Sequence, residues 1–304
     1  MTIALYQPIS FMQQGGRPYQ EDARFPDSDR PDKNSRFFLV CDGVGGSDHG
    51  EMASRIVCEA FEKMLYHFNF LSDFTNQDFS QTLDFAYDTL DNQSKRIKGD
   101  MSTTLTFICF HGQGCTMAHI GDSRIYQVRP NDGIIFKTDD HSLVNSMVRN
   151  GVIAPMQAEG HPQGNVITRC MQPTSQHEDR CQATVYRTSD VKTGDFFFLC
   201  SDGVLKCVSD DLLTDVLMDK YMGDEEKMRK IASMSESSDD NNTAVLLHVA
   251  QVEKETSSQL SDSLEYEGAA TKRFDRVINE SSEIESHRKM ERPSLFDKIK
   301  QWFS

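Results

Sequence analysis

"FFFLCSDGVL", residues 196–205, and "FFLVCDGVGG", residues 37–46, share one design: an apolar run reaches a cysteine and then gives way to an aspartate and a glycine. An apolar run of this length, bounded by a turn signal, reads as a strand buried on both faces. A carboxylate is the group least welcome at the end of such a strand unless a cation meets it. Either Asp-Gly alone could be an ordinary turn pair. Two strands that each deliver one, Asp42-Gly43 and Asp202-Gly203, ask for a shared partner.

Outward from these two runs, further strand-like stretches are "TLTFICF" (104–110), "CTMAHIG" (115–121), "RIYQVR" (124–129), "GIIFKT" (133–138), "CQATVYR" (181–187) and "TAVLLHV" (243–249). Several are joined by short Gly- or Asn-Asp-containing turns that suit hairpins. Helical spacing appears twice: Ala53, Val57, Ala60, Met64 and Phe68 within 51–68, then Phe79, Leu83, Ala86 and Leu90. Hairpin-linked strands with helices gathered in pairs predict an α+β sandwich of two central antiparallel sheets flanked by helices, four layers in all.

The chain has 304 residues and a formal charge of -15, long enough for one large domain or two small ones. The excess of 47 acidic over 32 basic residues would repel a nucleic-acid backbone, and no basic stripe with interleaved aromatics offsets it. Eight cysteines at 41, 58, 109, 115, 170, 181, 200 and 207 show no C-x-x-C and read as reduced core residues of a cytoplasmic protein. "MTIALYQPIS" lacks the pattern of a secretory leader, and no stretch approaches a membrane span.

Acidic residues at strand exits or beside glycine are Glu21 and Asp22 in "QED", Asp42 in "CDGVGG", Asp122 in "GDSR", Asp202 in "CSDG", and Asp239 and Asp240 in "SDDNNT". If the strands pair as the hairpins suggest, four or five carboxylates gather at one edge of the sandwich. Like charges that close imply bound cations or raised pKa values. The donors are oxygens, with no Cys-His or His-x-x-x-His spacing, so the fitting ion is Mg2+ or Mn2+. Two such ions sharing a carboxylate can lower the pKa of a water and aim it at a phosphorus atom. Gly43, Gly45 and Gly46 would permit a tight turn with backbone close to an ion or phosphate. Arg17, four residues before Glu21, could hold two phosphate oxygens or stand as a solvated surface arginine; nothing local decides.

In order, the chain shows "RPYQED", "VCDGVGGSDHGEMAS", "STTLT", "HIGDSR", "TDDHSLV", "HPQGNVITR", "CSDG" and "DNNT". This series, from about Gln14 to Val249, resembles the metal-dependent serine/threonine protein phosphatases of the PPM, or type 2C, family, and its compact bacterial members in particular. The resemblance implies a fold of two antiparallel sheets flanked by helices. It also implies hydrolysis of phosphoserine and phosphothreonine in proteins, with Mg2+ or Mn2+ as cofactor: two ions and, as in bacterial relatives, a third that is held more weakly. By resemblance Asp42 bridges the two metals, the Gly43 carbonyl is a ligand of one, and Asp202 and Asp240 hold the other. Glu21 and Asp22 match the acidic pair that holds waters on the ions, Arg17 the phosphate-binding arginine, and Asp122 the ligand of the third metal. Residues 142–170 correspond to the flap beside the active site. A cognate Ser/Thr kinase would supply the phosphoprotein substrate.

Three positions depart from the family pattern. Val44 stands where many animal members carry a histidine proposed as general acid, Gln20 replaces a usual asparagine, and Gln172 replaces a glycine. The division expected is a phosphatase domain over 1–251, a flexible acidic linker over 252–292, and a short amphipathic helix over 293–304. That helix, with Leu295, Phe296, Ile299, Trp302 and Phe303 on one face, would dock on a partner protein, on the phosphatase domain itself or on an anionic membrane, or is a frayed terminus. The alternatives to a phosphoprotein phosphatase are a binding module that sequesters a phosphorylated partner and a phosphatase of small metabolites.

Overall fold

The computed structural model describes residues 1–158, 160–174 and 179–253. Apart from residues 252 and 253, the expected linker and terminal helix lie outside the described residues.

One sheet has the order β3 (Ala23–Phe25), β4 (Phe37–Cys41), β5 (Leu105–His111), β6 (Gly114–Ile120) and β9 (Thr184–Thr188), antiparallel throughout. The other has the order β1 (Thr2–Leu5), β11 (Asn242–Glu253), β10 (Phe196–Cys200), β7 (Arg124–Arg129) and β8 (Gly133–Lys137). In this second sheet β2 (Ile9–Gln13) also pairs with the first half of β11. Helices α1 (Gly50–Leu65) and α2 (Asn76–Ser94) cover the first sheet. A short α3 (Leu143–Arg149) precedes the loop that returns to β9, and α4 (Asp202–Leu205), α5 (Asp210–Met218) and α6 (Asp224–Ser235) follow β10. The four-layer α+β sandwich expected from the sequence is the observed architecture.

Burial on both faces explains the two opening runs. In β4, Phe38 and Val40 point between the sheets, where they meet Phe197, Leu199, Val245 and Leu247, while Phe37, Leu39 and Cys41 face α1 and α2. In β10 the odd members Phe197 and Leu199 face inward, and Phe196, Phe198 and Cys200 face Leu213, Val216, Met228 and Ile231 of α5 and α6. Alternate residues of one strand thus serve two different cores, and neither face tolerates a polar side chain. The helical side of the first sheet is largely aromatic: Phe107 has ring neighbours Phe61, Phe74 and Phe79 at 5.3–5.8 Å between centroids. Truncating a ring in such a setting generally removes about 3–5 kcal/mol of stability.

The helices start where side chains satisfy their free N–H groups. Thr75 and Asp78 form a reciprocal capping box at α2, and the Ser142 and Ser209 hydroxyls accept from the backbone N–H groups of Asn145 and Leu212 at α3 and α5. Helix α1 begins at Gly50 and ends at Leu65, three residues before the expected end at Phe68. All eight cysteines are free; five are buried, and Cys170, Cys181 and Cys207 are half-buried. Among the described residues Asn131 is the one non-glycine with positive φ, so glutamine at 172 sits on ordinary backbone and needs no glycine.

Strand direction sets what lies at each edge. β4, β6 and β10 run so that Asp42, Asp122 and Asp202 emerge at a common end, and β11, antiparallel to β10, starts there just after Asp240.

Candidate active site

At that end is a cleft of about 270 Å3 lined by Arg17, Asp42, Gly43, Val44, Gly45, Thr104, Asp122, Asn165, Ile167, Asp202, Lys206 and Asp240. Of the eight residues given metal or phosphate roles on the sequence, all but Glu21 and Asp22 line it. The register that pairs Ala23 with Cys41 brings Asp22 opposite Asp42 one step beyond the ladder, and Asp22 borders a separate cavity with Glu51, Arg55 and Glu59.

Each aspartate is fixed through its backbone. The Asp42 N–H donates to the Thr104 hydroxyl (3.0 Å), and its carbonyl accepts from Thr104 N–H and the Thr103 hydroxyl, both at 2.8 Å. Asp202 is the first residue of α4, and Asp122 follows Gly121, whose φ of +103° only glycine adopts freely. Asn241 ties the two ends of the chain together. Its amide oxygen accepts from Glu21 N–H (2.8 Å), and its amide nitrogen donates to the carbonyls of Gln14 (2.7 Å) and Tyr19 (2.9 Å). Gln20 serves in place of the expected asparagine: it donates to the Gln13 carbonyl (3.0 Å) and accepts from Asp22 N–H (2.9 Å).

The expected tight turn is formed by Gly45 and Gly46, across which Ser47 N–H donates to the Val44 carbonyl at 3.1 Å, whereas Gly43 is needed for another reason. Of Gly43, Gly45 and Gly46 only Gly46 has positive φ, +95°. A Cβ on Gly43 would lie 2.5 Å from the Gly50 carbonyl carbon and 2.7 Å from the Glu21 carbonyl oxygen, so close backbone approach requires that glycine. A Cβ on Gly45 would press on the Arg17 guanidinium at 3.1 Å.

Electrostatically the site is short of cations. Burial, then the charges of Asp22, Asp202, Asp122 and Asp240, push the Asp42 carboxyl well above the usual carboxylate range. Burial and then Asp202 push Asp122 up to about 7. Asp22 is pushed up to about 7 by burial and by the charges of Asp202 and Asp240, against the hydrogen bond from Ser201. Its Oδ2 accepts from the Ser201 hydroxyl at 2.8 Å, while its buried Oδ1 has no hydrogen-bond partner. Asp202 is also raised by burial, against the charge of Lys206. Glu21 is raised by burial too.

Asp240 is the exception. Burial would raise it, but hydrogen bonds from Arg17 and Lys206 outweigh that and hold it below its usual value. Arg17 meets it through Nε (2.7 Å) and a terminal nitrogen (2.9 Å), and Lys206 Nζ reaches it at 2.7 Å.

The donor set fits divalent cations. It consists of hard oxygens, those of carboxylates that raise one another's pKa, plus a backbone carbonyl at Gly43 where no Cβ can stand. The carboxylates are gathered without forming a closed cage: among the described residues no three His, Cys, Asp or Glu side chains are grouped as ligands, and Asp240 is turned to its two cations. Lys206 is the residue of this cleft that sequence reasoning missed. Its signal was its position four residues after Asp202, hence on the same side of α4. Asn165 and Ile167 bring the segment over 142–170 to the cleft wall.

A putative protein phosphatase 2C-type of Streptococcus pyogenes is 30% identical over 227 residues, which cover 71% of this chain and 87% of that one. The serine/threonine phosphatase PstP of Mycobacterium tuberculosis, solved as a crystal structure, superposes with a TM-score of 0.69 at 26% identity, covering 82% of this chain and all of that one. The catalytic domain of PstP in complex with two manganese ions gives a TM-score of 0.64 at 26% identity with the same coverage. Residues 13–242 match the family described as protein phosphatase 2C, and the chain belongs to that family.

Proposed function

We infer that this protein is a metal-dependent serine/threonine phosphoprotein phosphatase, a phosphoric monoester hydrolase using two Mg2+ or Mn2+ ions. The observation that carries this reading is the convergence of Asp42, Asp122, Asp202 and Asp240 with Arg17 on one cleft, in a chain of the family whose relatives are serine/threonine phosphatases and include one solved with two manganese ions. We assign Asp42, Asp202, Asp240 and the Gly43 carbonyl to the two ions, Asp122 to a third, and Glu21 and Asp22 to their waters. When bound, the ions would lower the pKa of an attacking water and balance charge on the phosphoryl oxygens.

The chain's own residues supply position and shape. Arg17 presents a planar fork that suits two oxygens of one phosphate. Gly45 leaves room for that fork. Val44 on the cleft wall has no proton to give, so the leaving serine or threonine oxygen takes its proton from another group. The substrate is a phosphoprotein, and its phosphate is added by a serine/threonine kinase acting in the same compartment. We place the protein in the cytoplasm; among the described residues no helix is long and apolar enough to cross a membrane.

Hydrolysis of a phosphothreonine peptide is expected to require added Mn2+ or Mg2+ and to vanish on chelation. Full activity after exhaustive EDTA dialysis, with metal absence verified by elemental analysis, would overturn the reading. A protein that binds the phosphopeptide without turnover at saturating Mn2+ would be the sequestering module instead, and one that turns over small phosphomonoesters but not phosphopeptides a metabolite phosphatase. Arg17→Ala should raise KM about tenfold with kcat little changed, because the guanidinium holds phosphate alike in ground and transition states. A large fall in kcat at constant KM would remove Arg17 from that role.

A further inference from the structure

Lys206 is the second cation on the cleft wall, and nothing in the reaction described so far uses it. It caps α4, the helix that begins with Asp202. Its Nζ lies 2.7 Å from Asp240 Oδ2 and 3.3 Å from Asp239 Oδ1, and its side chain is 27% exposed, so the ammonium is held yet reaches the cleft. Asp240 therefore carries three charged contacts, two from Arg17 and one from Lys206. A carboxylate offers about four lone-pair sites. An ion taken up by Asp240 must compete with both cations for them.

Resting on the phosphatase reading, we propose that Lys206 is a second phosphate-binding residue: it holds Asp240 while that carboxylate has no ion and turns to the substrate phosphate once an ion takes Asp240. The reasons are geometric and electrostatic. A divalent ion on Asp240 repels an ammonium a few ångströms away, at a site where water screens only partly. The lysine stem has four flexible carbons and a charge that can reorient freely, unlike the fixed fork of arginine. The cleft that Lys206 lines together with Arg17, Val44 and Gly45 is where the phosphate dianion would lie, and once Asp240 is occupied that dianion competes for the ammonium only with Asp239, which is solvent-exposed and singly charged. Metal and phosphate are then linked through Asp240: the ion releases the cations that bind the anion.

The two affinities should move in opposite directions when the charge is removed. For Lys206→Met in the full chain, the Kd for Mn2+, measured by titration calorimetry in phosphate-free buffer, should fall about three- to tenfold, the range expected for losing one partly exposed charged contact. At saturating Mn2+ the Ki of inorganic phosphate against phosphothreonine-peptide hydrolysis should rise by a similar factor. Lys206→Arg should restore both toward the wild type. A lysine that only steadied the Asp239–Asp240 turn would, on removal, weaken metal and phosphate together, and that result overturns the proposal, as does no change in either constant. Lys206→Gln provides a second variant should the methionine disturb folding. Wild-type protein that neither binds Mn2+ nor turns over phosphopeptide would sink the phosphatase reading itself, a result distinct from normal turnover with two unmoved constants in the variant.

Discussion

Asp42→Asn is expected to lower kcat/KM for a phosphothreonine peptide by about a thousandfold or more, because the variant keeps the shape of the cleft but loses the charge proposed to be shared by both ions. The same change should stabilise the protein in EDTA. Burial and four neighbouring carboxylates push Asp42 upward. An acid whose folded pKa lies above its unfolded value keeps its proton in the folded state, and that contribution is complete below the unfolded pKa. As pH rises toward the folded pKa the contribution is lost, since folding must then take up a proton or bury a charge. The wild type in EDTA should accordingly lose stability from about pH 4 upward, and the asparagine variant, which has no proton to lose at this position, should be less affected. At pH 8 a gain of roughly 1 kcal/mol corresponds to about 2–4 °C in Tm for a domain of this size. Scanning calorimetry in EDTA checks the sign. An equal or lower Tm for the variant at pH 8 would mean that the crowding of carboxylates is not a strain on the metal-free fold.

Gly203→Ala should be among the most damaging single methyls at the catalytic end of the molecule. A Cβ there would lie 2.0 Å from the Asn241 carbonyl oxygen and 2.9 Å from its carbon, both backbone atoms that cannot rotate away. Overpacking against backbone of this kind removes about 3 kcal/mol or more, roughly 6–12 °C in Tm. The displaced residue is Asn241, whose side chain secures Gln14, Tyr19 and Glu21, so Mn2+ binding should fail along with stability. Gly223→Ala is the control: no atom lies within 4 Å of its added Cβ, and its φ of -72° suits any residue. A Gly203→Ala protein that melts with Gly223→Ala would show that the strand and turn part without resistance.

The two aspartate-glycine pairs also mark how far the sequence could be read. Runs buried on both faces, such as Phe37–Cys41 and Phe196–Cys200, are legible because every residue in them is apolar. The expectation that Asp42 and Asp202 share a location follows from strand direction and is met at the cleft. Other elements are silent for physical reasons. β3 has three residues, one of them Arg24, and α6 buries only Lys227, Met228, Ile231 and Ser235 of "DEEKMRKIASMS", too few apolar residues to outline a face. The turn reading holds at Gly45 and Gly46 but not at Gly43, because glycine required by a crowded neighbour looks the same in a sequence as glycine required by positive φ. Lys206 went unread because a search for carboxylates at strand exits takes no notice of the cation that balances one of them.

The Asn241 clasp has a further consequence for how the molecule comes into being. It joins residues 14–21 to a residue more than 200 positions later, and β11, which follows it directly, pairs with β1, β2 and β10 alike. During vectorial synthesis the arm carrying Arg17, Glu21 and Asp22 leaves the ribosome first and waits for almost the whole domain before its anchor is made. A nascent polypeptide would thus be inert toward phosphoproteins until β11 is seated, and hydrolytic activity would arise only with that pairing.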